Sequence, residues 1–538
     1  RNQFFTPRYV VKFLTDNTLG RIWYEMTKGE TGLKDSCRYL VRRPNEVFLA
    51  EGQEVPEPDE SMENMSQEEL LRQTVHIPHR PLKDPRDIRM LDPACGSMHF
   101  GLYAFDLFER IYDEAWEIEA TQGPGVFTRS EGIKPLAETY SCKETFLHDV
   151  PRLIIERNIH GIDIDPRAVQ IAGLSLWLRA QRSWQAQGVK AQDRPQVRRS
   201  NIVCAEPMPG EADMLEEFAE QLQPKVLGQL VKTIFEKMKL AGEAGSILKI
   251  EEDIKDAIAD AHKEYQEFIL QQKKEKGFLP GMAPERQATL FDFADLPKEE
   301  DFWHTAEQRV IDALRYYAEM AASDTYQRRL FAADAARGFA FIDLCRKRYD
   351  VALMNPPFGL PTASVEEYAK ERFENTWQDV YPSFYERTLG FTRADIGYVG
   401  AITPKSFYHA KGFRGLRKLL KAAGPLSYSV DIGGGVLDAA VEVCFSIVQS
   451  RQSSAESIAL FCNLVSSEKT LLADKVLGFV SLVKSGVASR EIVPVAVVKD
   501  VGLPNDMLPY RFPAELLKLL QSSPSFEASS GSSVVGIT

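Results

Sequence analysis

Apolar side chains recur along the chain with a spacing that changes from one segment to the next. Residues 9–27 carry them at helical spacing, and Thr6-Pro7 before them predicts an N-cap followed by proline at the first helical position. Beyond an acidic, proline-rich stretch, short apolar runs typical of strands alternate with amphipathic stretches typical of helices. In chain order these segments are 88–91, 99–118, 153–165, 166–184 and 201–206.

The second half of the chain repeats this alternation. Residues 350–358 and 396–404 are predicted strands, and 413–424 is a predicted helix closed by Gly424. The stretches 426–436 and 441–450 predict an antiparallel pair. Strands that alternate with helices indicate an α/β fold with a Rossmann-like, doubly wound and mostly parallel sheet.

Changes of pattern divide the chain into segments. Residues 211–345 are rich in Glu, Lys, Ala, Leu and Gln, and they predict a large helical insertion, broken near 277–286. The chain starts at Arg1 and stops in a Ser/Gly stretch, so we expect a fragment. The expected segments are 1–27 (N-terminal motif helix), 28–85 (insertion), 86–210 (first half of the sheet), 211–345 (helical insertion), 346–465 (second half) and 466–538 (linker and the start of a further domain).

Composition is that of a globular protein, with 44% hydrophobic and 26% charged residues. No run of 18 apolar residues and no signal segment occurs, so we expect no membrane span. Seven cysteines without a CxxC pair favour a reducing cytoplasm over a disulfide framework or a zinc site. We expect no metal ion.

Charge is unevenly distributed on a chain of net charge −12. Stretches 179–199 and 405–421 each hold six bases, against one acid and none. They are either solvated faces or sites of phosphate contact. The candidate phosphate contacts are Arg179, Arg182, Arg198, Arg199, Lys405, Lys411, Arg414 and Arg417.

The stretch LDPACGSMHF, residues 91–100, is a strand that enters a glycine-bearing turn. Ligands of open parallel sheets bind beyond the carboxyl ends of the strands. Asp92 could accept from an ammonium group there, and Gly96 lets the backbone approach a ligand. Met98 stands where such loops normally carry a further glycine, and because positive φ is costly for other residues we predict a negative φ. The alternative is an ordinary turn before a helix.

Two further strand ends carry acids. Asp163 is placed to hold ribose hydroxyls, although it lies 67 residues beyond Gly96 instead of the roughly 20 of a dinucleotide fold. The alternative for Asp163 is a helix N-cap, a role that suits Asp165 better. Glu206 could accept from an adenine amino group or could be a solvent-facing loop acid.

Asn355-Pro356-Pro357-Phe358 follows an apolar strand directly. Two prolines stiffen the backbone, so the Asn355 side-chain oxygen and the Pro356 carbonyl can be aimed at one –NH₂ group. Both hydrogens would then be held, which makes the nitrogen lone pair nucleophilic. Phe358 offers a flat face for a planar ring. The alternative is a purely structural turn.

The set FFTP, DPACGS, GIDID and NPPF, in this order, resembles the γ class of S-adenosylmethionine-dependent DNA methyltransferases that act on the N6 amine of adenine. The resemblance implies a class I methyltransferase fold, S-adenosylmethionine as cofactor and double-stranded DNA as partner, with the target base flipped out. It implies cofactor contacts at Thr6, Asp92, Ala94, Cys95, Gly96, Phe100, Asp163, Ile164, Glu206 and Asn355, and a catalytic segment of Asn355, Pro356, Pro357 and Phe358. The family usually carries Asp where Glu206 stands.

Longer stretches around the motifs resemble the large methyltransferases of phage-defence systems of the BREX and DISARM type. Examples are DPACGSMHFGLYAFDLF and DIGGGVLDAAVEVCFSIV. This resemblance implies host-DNA marking in a phage-defence or restriction–modification system and other defence proteins as partners. It also implies that residues 466–538 begin a target-recognition domain. It does not indicate an oligomeric state.

Other functions share parts of this pattern. NPPF-type loops also resemble those of methyltransferases that act on guanine N2 of RNA or on protein glutamine, which likewise present an –NH₂. A DNA-binding scaffold with a degenerate cofactor loop, and the modification half of a fused restriction–modification enzyme, are further alternatives. The FFTP helix and the large insertion favour DNA.

Overall fold

The computed structural model describes residues 5–54, 56, 65–209, 212–222, 225–275, 306–314, 316, 325–394, 396–423, 426–437, 441–450, 457–465, 471–497 and 508. By contacts the chain divides into two compact units, residues 1–202 with 348–538, and residues 203–347. Gly424 and the predicted break at 277–286 lie outside the described residues.

Short strands form two sheets. The strands are β1 (Glu46–Phe48), β2 (Val75–Ile77), β3 (Met90–Asp92), β4 (Ile159–Asp163), β5 (Asn201–Cys204), β6 (Val351–Met354), β7 (Gly397–Pro404), β8 (Leu426–Gly433), β9 (Val443–Ser450), β10 (Ser457–Asn463) and β11 (Ile492–Val497). β1 and β2 pair in parallel as a separate ribbon.

Helices cover both halves of the chain. They are α1 (Arg8–Thr15), α2 (Arg21–Met26), α3 (Leu33–Ser36), α4 (Gln67–Arg72), α5 (His99–Gln122), α6 (Leu136–Thr139), α7 (Lys143–Leu153), α8 (Pro166–Ala186), α9 (Ala212–Gln221), α10 (Lys225–Lys237), α11 (Ala241–Ala244), α12 (Ile250–Asp253), α13 (Lys255–Glu275), α14 (Thr325–Arg346), α15 (Ala363–Arg372), α16 (Val380–Phe391), α17 (Arg414–Ala423) and α18 (Leu472–Ser485). No helix in the described ranges has the length and apolar character required to cross a bilayer.

The main sheet has nine strands in the order β11-β10-β8-β9-β7-β6-β3-β4-β5. The neighbours β7–β6, β6–β3, β3–β4 and β8–β10 pair in parallel, with Met90 opposite both Val351 and Ile159. β9 runs antiparallel between β7 and β8, and β11 runs antiparallel to β10. The predicted doubly wound, mostly parallel sheet is therefore confirmed, as is the antiparallel pair β8–β9.

The central strands are buried on both faces. All residues of β3, β6 and β7 are buried, which is why these stretches are mostly apolar and do not alternate between apolar and polar residues. α5 packs against β4, and its residues Phe105, Phe108 and Ile111 are completely buried in the hydrophobic core. Because β3, β4, β6 and β7 run in parallel, their carboxyl ends meet at one edge of the sheet.

The sequence-based prediction was wrong for the first half of the 153–165 strand. Leu153 ends α7, and Ile154–Asn158 form a π-helical turn before β4 begins at Ile159. The side chains of Leu153, Ile154 and Ile155 are all buried. A short, wholly apolar run of this kind looks the same in a buried helix end and in a buried strand.

The elements after residue 466 extend the main sheet. α18 leads to β11, which pairs with β10 from Ser457↔Val497 to Cys462↔Ile492. The expected boundary between 465 and 466 therefore does not separate these elements from the sheet. Apart from Leu508, residues 498–538 lie outside the described residues.

The unit of residues 203–347 is built from helices α9 to α14. Phe235 stacks on Phe331 with ring centroids 5.8 Å apart, and Phe218 meets Phe331 edge-on at 6.2 Å. The expected helical insertion, 211–345, falls in this unit.

Candidate active site

The loop that joins β3 to α5 is hydrogen-bonded to the end of β4. The Cys95 amide donates to the Ile162 carbonyl at 2.9 Å, and the Gly96 amide donates to the Asp163 carboxylate at 2.8 Å. Gly96 has φ +49°, and a Cβ placed there would meet nothing within 4 Å, so its requirement is conformational and the space beside it is open. Ala94, half-buried, donates its amide to Asp92 at 3.2 Å.

Asp163 uses both carboxylate oxygens on backbone amides. One accepts from Gly96, and the other accepts from Asp165 at 2.9 Å. Each carboxylate oxygen has two acceptor positions, so these bonds still permit contact with ribose hydroxyls. Asp165 caps α8 by accepting from the Arg167 amide at 2.9 Å, with Pro166 at the first helical position, as predicted.

Asp92 is a buried acid with little compensation. Only 2% of its surface is exposed. Burial and, to a smaller extent, the negative charge of Asp163 raise the pKa of Asp92 well above its ordinary value, against the lowering effect of the Ala94 amide. An acid in this environment favours a positively charged ligand, which would replace the missing compensation.

Met98 contradicts the prediction of a negative φ. Its φ is +70° and its ψ +38°, which is the left-handed conformation, directly before α5. Its amide donates to the Cys95 carbonyl at 2.7 Å, and its side chain is completely buried. A Cβ on Gly101 would come within 2.6 Å of the Met98 methyl carbon, so this thioether fills the space left by Gly101. The left-handed conformation costs a non-glycine residue about 1–2 kcal/mol, and packing of the Met98 side chain offsets this cost.

A hydrogen bond joins the first and last motifs. The Asn355 side-chain amide donates to the Thr6 hydroxyl at 2.9 Å, across 349 residues of sequence. Thr6 is buried, and it is not the N-cap of α1: that position is held by Pro7, whose carbonyl accepts from the amides of Val10 and Val11. The predicted N-cap at Thr6 was wrong because the hydroxyl is used by Asn355 instead.

The rest of the Asn355–Phe358 segment follows β6 without regular secondary structure. Pro356 is buried, Pro357 is exposed and Phe358 is half-buried. The Phe358 ring meets Tyr381 edge-on, with centroids 6.4 Å apart and planes at 86°. A partly exposed aromatic face therefore lies directly beyond β6.

Ser97 and His99, which the sequence did not single out, connect the β3 loop to the N-terminal motif. The His99 ring packs edge-on against Phe5 with centroids 4.5 Å apart, and its Nδ1 lies 3.2 Å from the Ser97 hydroxyl. Burial lowers the pKa of His99, which favours the neutral ring. Phe5 itself is 67% exposed. Only the adjacency of these residues to DPACG in the sequence could have indicated them.

Four predicted cofactor residues occupy different environments. Phe100 lies in the hydrophobic core with 2% of its surface exposed, whereas Ile164 is 50% exposed directly after β4. Glu206 belongs to the unit of residues 203–347, where its carboxylate lies 3.4 Å from Arg337. Burial of Cys95 to 4% leaves mainly its backbone for contact with a ligand.

The basic residues predicted to contact phosphate differ in their exposure and in their ion pairs. Arg417 is contradicted, because it is completely buried and donates to the carbonyls of Phe407 and Ala410. Arg179 bonds Asp106 and Glu109, and Lys405 pairs with Asp431 and Glu442. The candidates on the exposed surface are Arg182, Arg198, Arg199, Lys411 and Arg414.

Comparison with known proteins gives one family and several relatives. The family described as Eco57I restriction-modification methylase matches residues 157–435, more than half of the chain. Adenine-specific methyltransferase BrxX of Escherichia coli O9:H4 (strain HS) is 22% identical over 426 residues, which is 77% of this chain and 27% of the relative. Adenine-specific methyltransferase PglX of Lacticaseibacillus casei (strain Zhang) is 27% identical over 180 residues, 34% of this chain and 11% of the relative.

Among solved structures, the ATP-dependent Type ISP restriction-modification enzyme LlaBIII bound to DNA aligns with a TM-score of 0.41 at 13% identity, over 92% of this chain and 22% of that one. The chain thus spans about a quarter or less of the length of the curated relatives above. The family match and these relatives confirm the resemblance to adenine-specific methyltransferases.

Proposed function

The chain belongs to the Eco57I restriction-modification methylase family, and from this premise we propose that it transfers a methyl group from S-adenosylmethionine to the N6 amine of adenine in duplex DNA. The observation that carries the proposal is the hydrogen bond between Asn355 and Thr6, which brings an amine-holding segment to the cofactor motifs. The relatives named adenine-specific methyltransferases support the choice of base. Marking of host DNA in a phage-defence or restriction–modification system is the proposed setting.

The residues of the β3 and β4 ends fit the cofactor. Asp92 is a buried acid whose pKa no cation among the described residues lowers, which suits the ammonium group of the methionine part. Gly96 is open on its Cβ side, which suits close approach of a ligand to the backbone. Asp163, with its remaining acceptor positions, suits the ribose hydroxyls, and the exposed Ile164 suits the adenine face. Bound S-adenosylmethionine would supply an electrophilic methyl group.

Asn355 and Pro356 hold the target amine in this proposal. Because the Asn355 nitrogen donates to Thr6, the side-chain oxygen is the atom that can accept from a substrate –NH₂. With the Pro356 carbonyl as second acceptor, both N6 hydrogens are held and the lone pair is turned out of conjugation with the ring. Attack of this nitrogen on the methyl carbon would break the methyl–sulfur bond and leave S-adenosylhomocysteine, and the methylated N6 would release one proton to water.

Phe358 receives the base. A target inside a duplex has to be flipped out, at a cost of about a few kcal/mol that stacking and base-edge hydrogen bonds offset. Phe358 is partly exposed and braced by Tyr381, so it offers a fixed face for an adenine ring. Positioning of amine and methyl group is the protein's main contribution, because alignment of reacting atoms alone accounts for about 7–11 kcal/mol of barrier in well-oriented systems.

The decisive experiment compares Asn355→Ala with the unchanged chain. Tritiated methyl transfer is measured on plasmid DNA, ribosomal RNA and a release factor, with the modified nucleoside identified by mass spectrometry, and cofactor affinity is measured by calorimetry. We expect N6-methyladenine in DNA only, and we expect Asn355→Ala to abolish transfer while cofactor affinity stays within about threefold, because Asn355 acts on the amine.

Asn45→Ala is the matched control. Asn45 is exposed and donates one side-chain hydrogen bond, to the Arg72 carbonyl at 2.7 Å, in the segment between α3 and α4. Its loss should leave transfer unchanged. Normal methylation by Asn355→Ala, or methylation of RNA or protein in place of DNA, would contradict the proposal.

A further inference from the structure

Asp379, which lies at the start of α16, contacts the residue that follows the Asn355–Phe358 segment. We propose that Asp379 is a positioning residue that holds this segment in its working geometry by bracing Gly359, an inference that rests on the proposed function. Its carboxylate accepts from the Gly359 amide at 3.0 Å and from the Tyr381 amide at 3.3 Å. One side chain thus joins the end of the amine-holding segment to the first turn of a helix.

A second hydrogen bond joins Gly359 to the start of α16. The Val380 amide donates to the Gly359 carbonyl at 3.0 Å. Both backbone polar groups of Gly359 are therefore bound by two consecutive residues, Asp379 and Val380. Two hydrogen bonds to one residue fix its orientation as well as its position.

The conformation of Gly359 explains why this contact needs glycine. Its φ is +119°, a value that side-chain-bearing residues rarely adopt, while a Cβ would meet nothing within 4 Å. The requirement is therefore conformational and not steric. Glycine is not strained at this φ but is free to adopt other conformations, so the hydrogen bonds to Asp379 and Val380 are what select this one.

The segment is held at both ends. Asn355 is bound to Thr6 at one end, and Gly359 is bound to Asp379 at the other. Between them, Phe358 rests edge-on against Tyr381, whose amide donates to the same carboxylate. Loss of the hydrogen bonds that Asp379 accepts from Gly359 and Tyr381 would release one end of the amine-holding segment together with Phe358. The contact between Asn355 and Thr6 would remain intact.

The contacts of Asp379 also decide which substitution is conservative. Burial raises the pKa of the Asp379 carboxyl, and the amides of Gly359, Tyr381 and Val380 act in the opposite direction. Each of these partners is a backbone N–H donor. An asparagine oxygen can accept the same hydrogen bonds without the charge. Asp379→Asn therefore preserves these hydrogen bonds, and Asp379→Ala removes them.

The test uses three variants of the chain: Asp379→Ala, Asp379→Asn and Gly359→Ala. Single-turnover methyl transfer to DNA and cofactor affinity are measured for each, together with hydrogen exchange of the peptide that covers residues 355–362. We expect Asp379→Ala and Gly359→Ala to slow transfer about 10²-fold, the effect of roughly 1 Å of misplacement, with cofactor affinity within about threefold. Their 355–362 peptide should exchange faster, and Asp379→Asn should remain within about fivefold of the original rate.

Ser66→Ala is the matched control, because Ser66 caps α4 through its hydroxyl and the Glu69 amide at 3.3 Å. It removes a helix cap without touching the Asn355–Phe358 segment and should leave transfer and 355–362 exchange unchanged. Two results would overturn the proposed role of Asp379. One is a rate of methyl transfer by Asp379→Ala equal to that of the original chain, and the other is an equal loss of rate in Asp379→Asn and Asp379→Ala. If the unchanged chain fails to methylate DNA, the proposed function fails, whereas the exchange measurement still decides whether Asp379 orders the segment.

Discussion

Among the single residues, Asp92 allows the clearest test, because its buried environment disfavours the negative charge of its carboxylate. Burial and the nearby Asp163 raise the pKa of Asp92 above the roughly 3.9 of an unfolded chain. The folded state therefore binds this proton more tightly than the unfolded state does. The stabilisation that comes from protonation of Asp92 is fully present below the pKa of this carboxyl in the unfolded chain. It is lost as pH rises through the raised pKa of the same carboxyl in the folded chain.

We therefore expect Asp92→Asn to gain thermal stability relative to the original chain as pH rises from 5 to 9, in the absence of cofactor. Asparagine keeps an acceptor for the Ala94 amide but never has to ionise in a buried site. The same variant should bind S-adenosylmethionine about tenfold or more weakly, because the ammonium group loses a buried, charge-assisted partner. Thermal melts across the pH series and calorimetry measure the two effects.

Asp165→Asn provides the control for this series. Asp165 is half-buried, and its bonds to Arg167 lower its pKa to about 2, so its stabilising effect is present throughout pH 5–9 and is lost only as pH falls through that value. Its melting difference from the original chain should be constant over the series. A flat profile for Asp92→Asn as well would show that Asp92 does not carry the buried proton.

At this scale the sequence indicated which residues matter better than it indicated their conformation. Asp163, Asn355 and Asp165 stand where strand ends and caps predicted them. The positive φ of Met98 could not be predicted, because it depends on the space beside Gly101, which exists only after α5 packs on the sheet. Thr6 was expected to cap α1 because its partner, Asn355, is 349 residues away.

At the scale of elements, a buried ionic cluster joins α2 to β7. Glu25 accepts from Arg21 at 2.8 Å and pairs with Arg80 at 3.0 Å, and the Tyr398 hydroxyl donates to it at 2.7 Å. Glu25 is 6% exposed, Arg21 7% and Arg80 6%. Removal of Glu25 would leave Arg80 buried without this partner, whereas Arg21 would keep its pair with Glu46 at 2.8 Å.

We expect Glu25→Ala to lower the free energy of unfolding by about 3–5 kcal/mol. Urea denaturation measures it, and Glu366→Ala is the control, because Glu366 forms an i,i+4 pair with Lys370 on α15 with 40% of its side chain exposed. Such exposed pairs contribute about 0.5 kcal/mol or less. Similar losses in both variants would mean that the α2–β7 cluster is no more than a surface contact.

The elements themselves were largely predictable, because the parallel central strands are mostly apolar and amphipathic helices separate them. The failures share one cause. Leu153 to Asn158 were assigned to a strand because a buried helix end has the same apolar composition. Arg417 was assigned to a basic surface because its charge is visible in the sequence, while the two carbonyls that hold it in the interior are not.

At the scale of the whole molecule, the question is which face meets DNA. A chain of net charge −12 does not attract a polyanion as a whole, so binding has to rely on local bases. Asn355 lies at the carboxyl edge of the sheet, and under the proposed function a flipped base has to reach it there. Lys411 is exposed in the segment after β7, the strand beside β6, and therefore lies at the same edge.

Arg182 lies elsewhere. α8 starts at that edge, with Asp165 as its cap, and Arg182 follows 17 residues later, about 25 Å along the helix at 1.5 Å per residue. If DNA lies across the carboxyl edge, Lys411→Gln removes one phosphate contact and reduces the slope of log K against log salt by about 0.9. Arg182→Gln should leave the slope unchanged, as should Lys370→Gln, whose charge is already paired with Glu366.

Fluorescence anisotropy of a labelled duplex over a salt series measures these slopes on the same preparation. Each phosphate contact releases counterions whatever the base sequence, so the slope counts contacts even before the recognised site is known. A loss of slope in Arg182→Gln with none in Lys411→Gln would place the duplex on the outer helical face. The flipped base could not then reach Asn355 from that position, and the proposed geometry of transfer would have to be abandoned.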